Sequence, residues 1–174
     1  MGLAILATRG KMHAAMTTPI IYTRRAAAGR LDFAGRFFAA VIGAGCLVVL
    51  VIAAWLTPSP AGVATHRELG LAECGFLLRT GLPCPACGMT TSFTWFAHGN
   101  IPASVYVQPM GFVLAVLCGM AFWAGSYGAI TGRPVHQLFS IVPERFYLFP
   151  LLALAILAWA WKMYIHLHGI DGWK

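Results

Sequence analysis

Three stretches of the chain stay apolar for about twenty residues, and short polar segments separate them. Residues 37–56, FFAAVIGAGCLVVLVIAAWL, carry no charge and stop at TPSPAG, residues 57–62. Residues 109–130, PMGFVLAVLCGMAFWAGSYGAI, stop at TGRP, and residues 147–166, YLFPLLALAILAWAWKMYIH, form the third. Roughly 20 helical residues cover the ~30 Å of hydrocarbon in a bilayer. Glycine and β-branched residues weaken a helix in water, but in lipid every backbone polar group needs an internal partner, so each stretch is expected to be a membrane-spanning helix. Lys162 lies close enough to the end of the third span to snorkel to the headgroups, and Trp159, Trp161 and Tyr164 around it read as an interfacial aromatic belt.

The pattern between the first two spans is different. Residues 66–79, HRELGLAECGFLLR, have moderate apolar periodicity and predict one interfacial helix. A turn over residues 80–85 follows, and then a short helix over residues 89–98, ended by Gly99 and Asn100. The expected fold is an all-α integral membrane protein: three transmembrane helices plus one short membrane-associated or re-entrant helix carrying a CxxC motif. Residues 1–35 read as a mobile basic tail, with a short surface helix over residues 31–38 and no secretory signal pattern. Residues 36–167 read as a single helical membrane domain with its cysteine region at 66–100, and residues 168–174 as a short C-terminal tail.

Composition strengthens the membrane assignment. Of 174 residues, 59% are hydrophobic and 10% charged, and the mean hydropathy is +0.75. The net charge of +7 is spread along the chain, without the basic stripe interleaved with aromatics that nucleic acid would need, so lipid is the expected partner and nucleic acid is not. Arg24, Arg25, Arg30, Arg36, Arg133 and Arg145 fall on one side of the three spans, and Arg67, Arg79 and Lys174 on the other. The positive-inside rule then places the N-terminus inside, and the cysteine region and C-terminus outside. Glycines at 111, 119, 125 and 128 permit close helix packing, with a homo-oligomer or a membrane protein partner as candidates.

Five cysteines raise the question of chemistry. Cys46 and Cys118 sit inside apolar spans and read as small buried hydrophobes. Cys74, Cys84 and Cys87 fall together in the connecting region. Cys84 and Cys87 suit a structural disulfide or a thiol–disulfide oxidoreductase. In the redox case Cys84 attacks and Cys87 resolves, or the reverse, since the start of a helix after Cys87 favours thiolate there. With Cys74 and a histidine, His98 or alternatively His66, they also make a three-sulfur, one-nitrogen set suited to zinc or another thiolate-binding metal. Thr90, Thr91 and Ser92 read as groups that bond back to helix carbonyls or cap the first turn. His166 and His168 read as part of an aqueous tail, and His136 as an interfacial residue. A small transporter component would need more polar groups in the spans than Gln108, Ser126 and Tyr127 supply.

With these residues in place, the chain resembles the DUF2752 family of small bacterial membrane proteins. The matching residues are Cys74, then Thr80, Gly81, Leu82, Pro83, Cys84, Pro85, Cys87, Gly88, Met89 and Thr90, then Gly99 and Asn100, then Gln108 and Pro109. The resemblance implies a multi-pass protein of the bacterial inner membrane and names no reaction. Thr91 stands where such proteins often carry arginine, and Gln108 where asparagine is common. The reading favoured is a non-enzymatic membrane protein or accessory subunit whose cysteine element is a structural disulfide or a metal knuckle.

Overall fold

The computed structural model describes residues 30–133 and 145–173. Asp32 caps the first helix, its Oδ1 accepting from the Gly35 N–H at 2.8 Å, and α1 runs Phe33–Trp55. The short surface helix expected near residue 31 is therefore the first turns of the span itself. A 3-10 helix, Thr65–Leu69, and α2, Gly75–Thr80, follow. Next come α3, Met89–Ala97, α4, Ile101–Val107, α5, Pro109–Thr131, and α6, Arg145–Leu167. The protein is all-α, and α1, α5 and α6 are each 23 residues long, about 34 Å at 1.5 Å per residue and enough to cross a bilayer. Arg24, Arg25, His136 and Lys174 lie outside the described residues.

The single helix expected over residues 66–79 is instead two short ones. Gly70, at φ 74°, ends the 3-10 turn, and Cys74 starts α2 as its N-cap. A left-handed residue in the middle of the stretch breaks a helix that moderate periodicity alone suggests. Helix α4 was not expected, although its start is legible: Asn100 Oδ1 accepts from the Ala103 N–H at 3.1 Å, and Pro102 occupies the first turn.

Helices α1 and α5 form the most extensive contact between elements. Gly43 and Gly125 let the two backbones approach so closely that a Cβ added at Gly125 would stand 2.6 Å from the Ala39 carbonyl oxygen. Arg36 of α1 spans the crossing, donating through Nε and Nη2 to the carbonyls of Ala129 and Ile130 and so satisfying the C-terminal end of α5. Cys118 and Cys46 are half-buried rather than buried, and Cys118 Sγ lies 3.6 Å from the Cys46 carbonyl oxygen across this contact. Gly125→Leu is expected to separate α1 from α5 and destabilise the protein by about 1–3 kcal/mol, the cost of overpacking a close contact. Unfolding of detergent-solubilised protein by SDS measures it.

At the other end, α3 and α4 pack as a pair against the start of α5. Ser92 Oγ donates to the Ser104 carbonyl at 2.8 Å, Ser104 Oγ returns a bond to the Ser92 carbonyl at 2.7 Å, and Ser92 also reaches the Gln108 carbonyl. Thr91 Oγ1 meets Thr65 Oγ1 at 2.8 Å, joining α3 to the 3-10 helix. The hydroxyls of Thr91 and Ser92 thus tie elements together instead of bonding back along α3. Thr94 Oγ1, donating to the Thr90 carbonyl, makes the back-bond.

Candidate metal centre

The chain reverses at Gly81, at φ 69°, after α2, and the loop through residues 81–88 carries Cys84 and Cys87 back toward the start of that helix. Cys74, as N-cap, sits at that start. The consequence is that the sulfurs of Cys74, Cys84 and Cys87 all lie within 4.8 Å of one another. Cys84 Sγ is 3.2 Å from Cys87 Sγ, and the Cys84 N–H points at the Cys87 sulfur from 3.3 Å. Thiolates arranged tetrahedrally at about 2.3 Å from zinc stand roughly 3.8 Å apart. Small side-chain adjustments convert this cluster into a ligand set, and the structure thereby contains a cysteine group geometrically able to coordinate a metal ion.

The three thiols differ in character. The Leu77 N–H at the start of α2, reinforced by the Cys84 thiol, brings Cys74 down to about 7. Burial pushes Cys87 up to about 12, and the neighbouring Cys84 thiol acts in the same direction. The sequence argument that the helix start lowers Cys87 is corrected: Gly88, not Cys87, occupies the cap of α3, and desolvation of a residue 8% exposed outweighs the helix terminus. Thiolate forms as pH rises through the pKa, so alkylation of metal-free protein is expected to label Cys74 with a midpoint near pH 7. Cys87 stays unreactive until strongly alkaline pH. Peptide mapping after brief iodoacetamide pulses at stepped pH reads both.

The candidate histidines are placed differently. His98 lies at the far end of α3, nine residues and about 13 Å along the axis from its start, with Nδ1 2.8 Å from the Thr94 carbonyl oxygen. It is not among the grouped ligand atoms. His66 lines a cavity of about 630 Å³ together with the three cysteines, and its Nε2 lies 3.1 Å from the Ala72 carbonyl oxygen.

What holds the loop in place comes from Gln108, at the junction of α4 and α5, and from α6. Gln108 Nε2 donates to the Pro85 carbonyl at 2.9 Å, and Trp159 Nε1 to the Pro83 carbonyl at 3.1 Å. His166 Nε2 faces the Gly81 carbonyl oxygen at 3.1 Å. Trp159, Lys162 and His166, spaced i, i+3, i+7, form one face of α6 turned toward the loop. Lys162 is fully buried rather than snorkelling: Nζ donates to the Gly62 carbonyl at 3.2 Å and pairs with Asp171 at 3.0 Å. A Cβ on Gly88, whose φ is 84°, would stand 2.9 Å from the Gly62 carbonyl oxygen and 3.4 Å from the Lys162 ammonium.

The reading of His166 as part of an aqueous tail is revised with it. Trp161 Nε1 donates to the Tyr106 carbonyl, and Tyr106 in turn donates to the Ile170 carbonyl. His166 Nδ1 pairs with Asp171, folding the tail back, while His168 remains exposed. The signal available in the sequence was an ionisable residue inside an apolar helix, which in lipid needs a partner when it does not reach the interface.

Residues 74–122 match the family model DUF2752, described as a protein of unknown function. The match begins at the first cysteine of the cluster, takes in the other two, and ends within α5. No curated protein and no solved structure matches the chain. The chain is a membrane protein with a cysteine cluster suited to a structural or metal-binding role.

Proposed function

We propose that the chain is a metal-binding, non-enzymatic membrane protein, in which Cys74, Cys84 and Cys87 hold a thiophilic ion such as zinc. The observation that carries this reading is the convergence of three sulfurs, since a disulfide uses two and leaves the third without a role. Zinc takes deprotonated sulfur, so binding releases the remaining thiol protons. The ion ties the start of α2 to the loop before α3. Adding zinc to metal-free protein protects Cys74 from alkylation near neutral pH and leaves Cys46 and Cys118 as reactive as before; Cys74 labelled at the same rate with and without zinc argues against the site.

A second reading, a thiol–disulfide oxidoreductase using Cys84 and Cys87, is favoured by their sulfur contact. In it buried Cys87, its thiol pushed up to about 12, is the poorer attacking thiol, which leaves Cys84 to attack and Cys87 to resolve.

The same proposal places the protein in the bacterial inner membrane, with the N-terminus inside and the cysteine region and C-terminus outside. Two features support it. The three spans among the described residues put the C-terminus on the side of the cysteine region, and the tail packs there, with Asp171 against Gly62. Lys162 also drops out of the charge count, because its charge is buried and paired. A reporter fused after Lys174 that is active only outside the cytoplasm agrees with this orientation.

A further inference from the structure

Three thiolates leave a tetrahedral divalent ion one ligand short. Among the described residues no histidine, aspartate or glutamate joins the group formed by the three cysteines. His66 Nε2 meets the Ala72 carbonyl oxygen instead, and Glu73 pairs with Arg67. All three cysteines line the same cavity of about 630 Å³. That is many times the roughly 30 Å³ share of one water molecule and within the range of about 300–1,000 Å³ typical of small-molecule sites.

The walls of the cavity limit what it takes. Leu71 and Leu77 make it apolar on one side, while Arg67 and Glu73 contribute a guanidinium and a carboxylate side by side. Their side chains are 60% and 40% exposed, so both remain within reach of a ligand entering from water. A guanidinium beside a carboxylate is complementary to a molecule carrying its own carboxylate and ammonium, and a site that ends in a soft metal selects a sulfur donor.

We propose, resting on the metal reading above, that the centre is open rather than closed and that its fourth ligand is the thiolate of a small zwitterionic thiol, an amino acid or short peptide bearing a sulfhydryl. Arg67 receives the carboxylate, and Glu73 the ammonium. Binding is a ligand exchange without redox change: a metal–water bond breaks, a metal–sulfur bond forms, and the thiol proton passes to solvent.

The test uses the full chain in detergent, substituted with cobalt(II) and titrated with cysteine, with ethanethiol as a thiol that lacks the charges. The sulfur-to-cobalt charge-transfer absorption is expected to rise saturably by roughly one-third, as a fourth thiolate joins three, with cobalt retained on the protein. Arg67→Ala raises the half-saturating cysteine concentration about tenfold, the usual scale for one charge-assisted contact, and leaves that for ethanethiol unchanged. His66→Ala leaves the spectrum as it was. Absorption unmoved by millimolar cysteine, cobalt lost to the filtrate, or a spectrum altered by His66→Ala overturns the open centre while the metal reading stands. Equal half-saturation for the two thiols overturns the roles of Arg67 and Glu73. Failure of cobalt to bind at all overturns the metal reading itself.

Discussion

Replacing Cys87 by serine lowers zinc affinity about a hundredfold or more. A structural zinc site of four ligands binds with an apparent free energy of about 10–16 kcal/mol, so each ligand carries roughly 3 kcal/mol, and tenfold in affinity corresponds to about 1.4 kcal/mol. Cys74→Ser and Cys84→Ser should lower it on the same scale, because each removes one of the three grouped sulfurs. Cys46→Ser, in α1, should leave affinity unchanged. Competition against a chelator of known affinity reads all four variants on one scale. If Cys74→Ser binds zinc as tightly as the parent chain, the third sulfur is not a ligand and the paired-cysteine reading gains.

Lys162→Met destabilises the protein by about 3–5 kcal/mol, the cost of leaving one partner of a buried ion pair uncompensated. The variant strands the Asp171 carboxylate beside His166 and removes the donor to the Gly62 carbonyl. Adding Asp171→Asn to Lys162→Met should recover part of the loss, since no unpaired charge then remains in the contact. Arg79→Ala, at an exposed position, should stay within about 0.5 kcal/mol of the parent. Equilibrium unfolding in mixed micelles separates these cases. A Lys162→Met protein as stable as the parent would mean that the ammonium reaches the headgroups after all.

The spans were legible because hydropathy over twenty residues is a direct reading of what a bilayer requires. The short helix after Cys87 was legible for a local reason too, bounded by Gly88 before it and Gly99 after it. The meeting of Cys74 with Cys84 and Cys87 was harder, since ten residues of separation fix nothing until the left-handed turn at Gly81 reverses the chain. Lys162 misled because two solutions satisfy the same local rule. A lysine near the end of a span either extends to the interface or finds a counterion, and the counterion here, Asp171, lies beyond the end of α6 and becomes a neighbour only when the tail folds back at Gly169. His166 followed Lys162 into the same contact. Trp159, Lys162 and His166 share one helical face, and that spacing in an otherwise apolar helix was the signal available in the sequence.

The membrane helices do not serve only as anchors, because Gln108, at the cap of α5, and Trp159 and His166 of α6 bond three carbonyls of the cysteine loop. The loop is thus fixed on its backbone side, and its sulfurs are left facing the cavity. A rigid backbone with convergent side chains is the arrangement that lowers the entropic cost of gathering three ligands around one ion.

The most direct test is the mass of the detergent-purified chain under native and denaturing conditions, with and without prior thiol alkylation, paired with elemental analysis. The account predicts about one thiophilic metal ion per chain under native conditions, lost on denaturation and lost when Cys74, Cys84 and Cys87 are alkylated. A chain that carries no metal, and whose denatured mass is two protons light with the loss localised to Cys84 and Cys87, would contradict it.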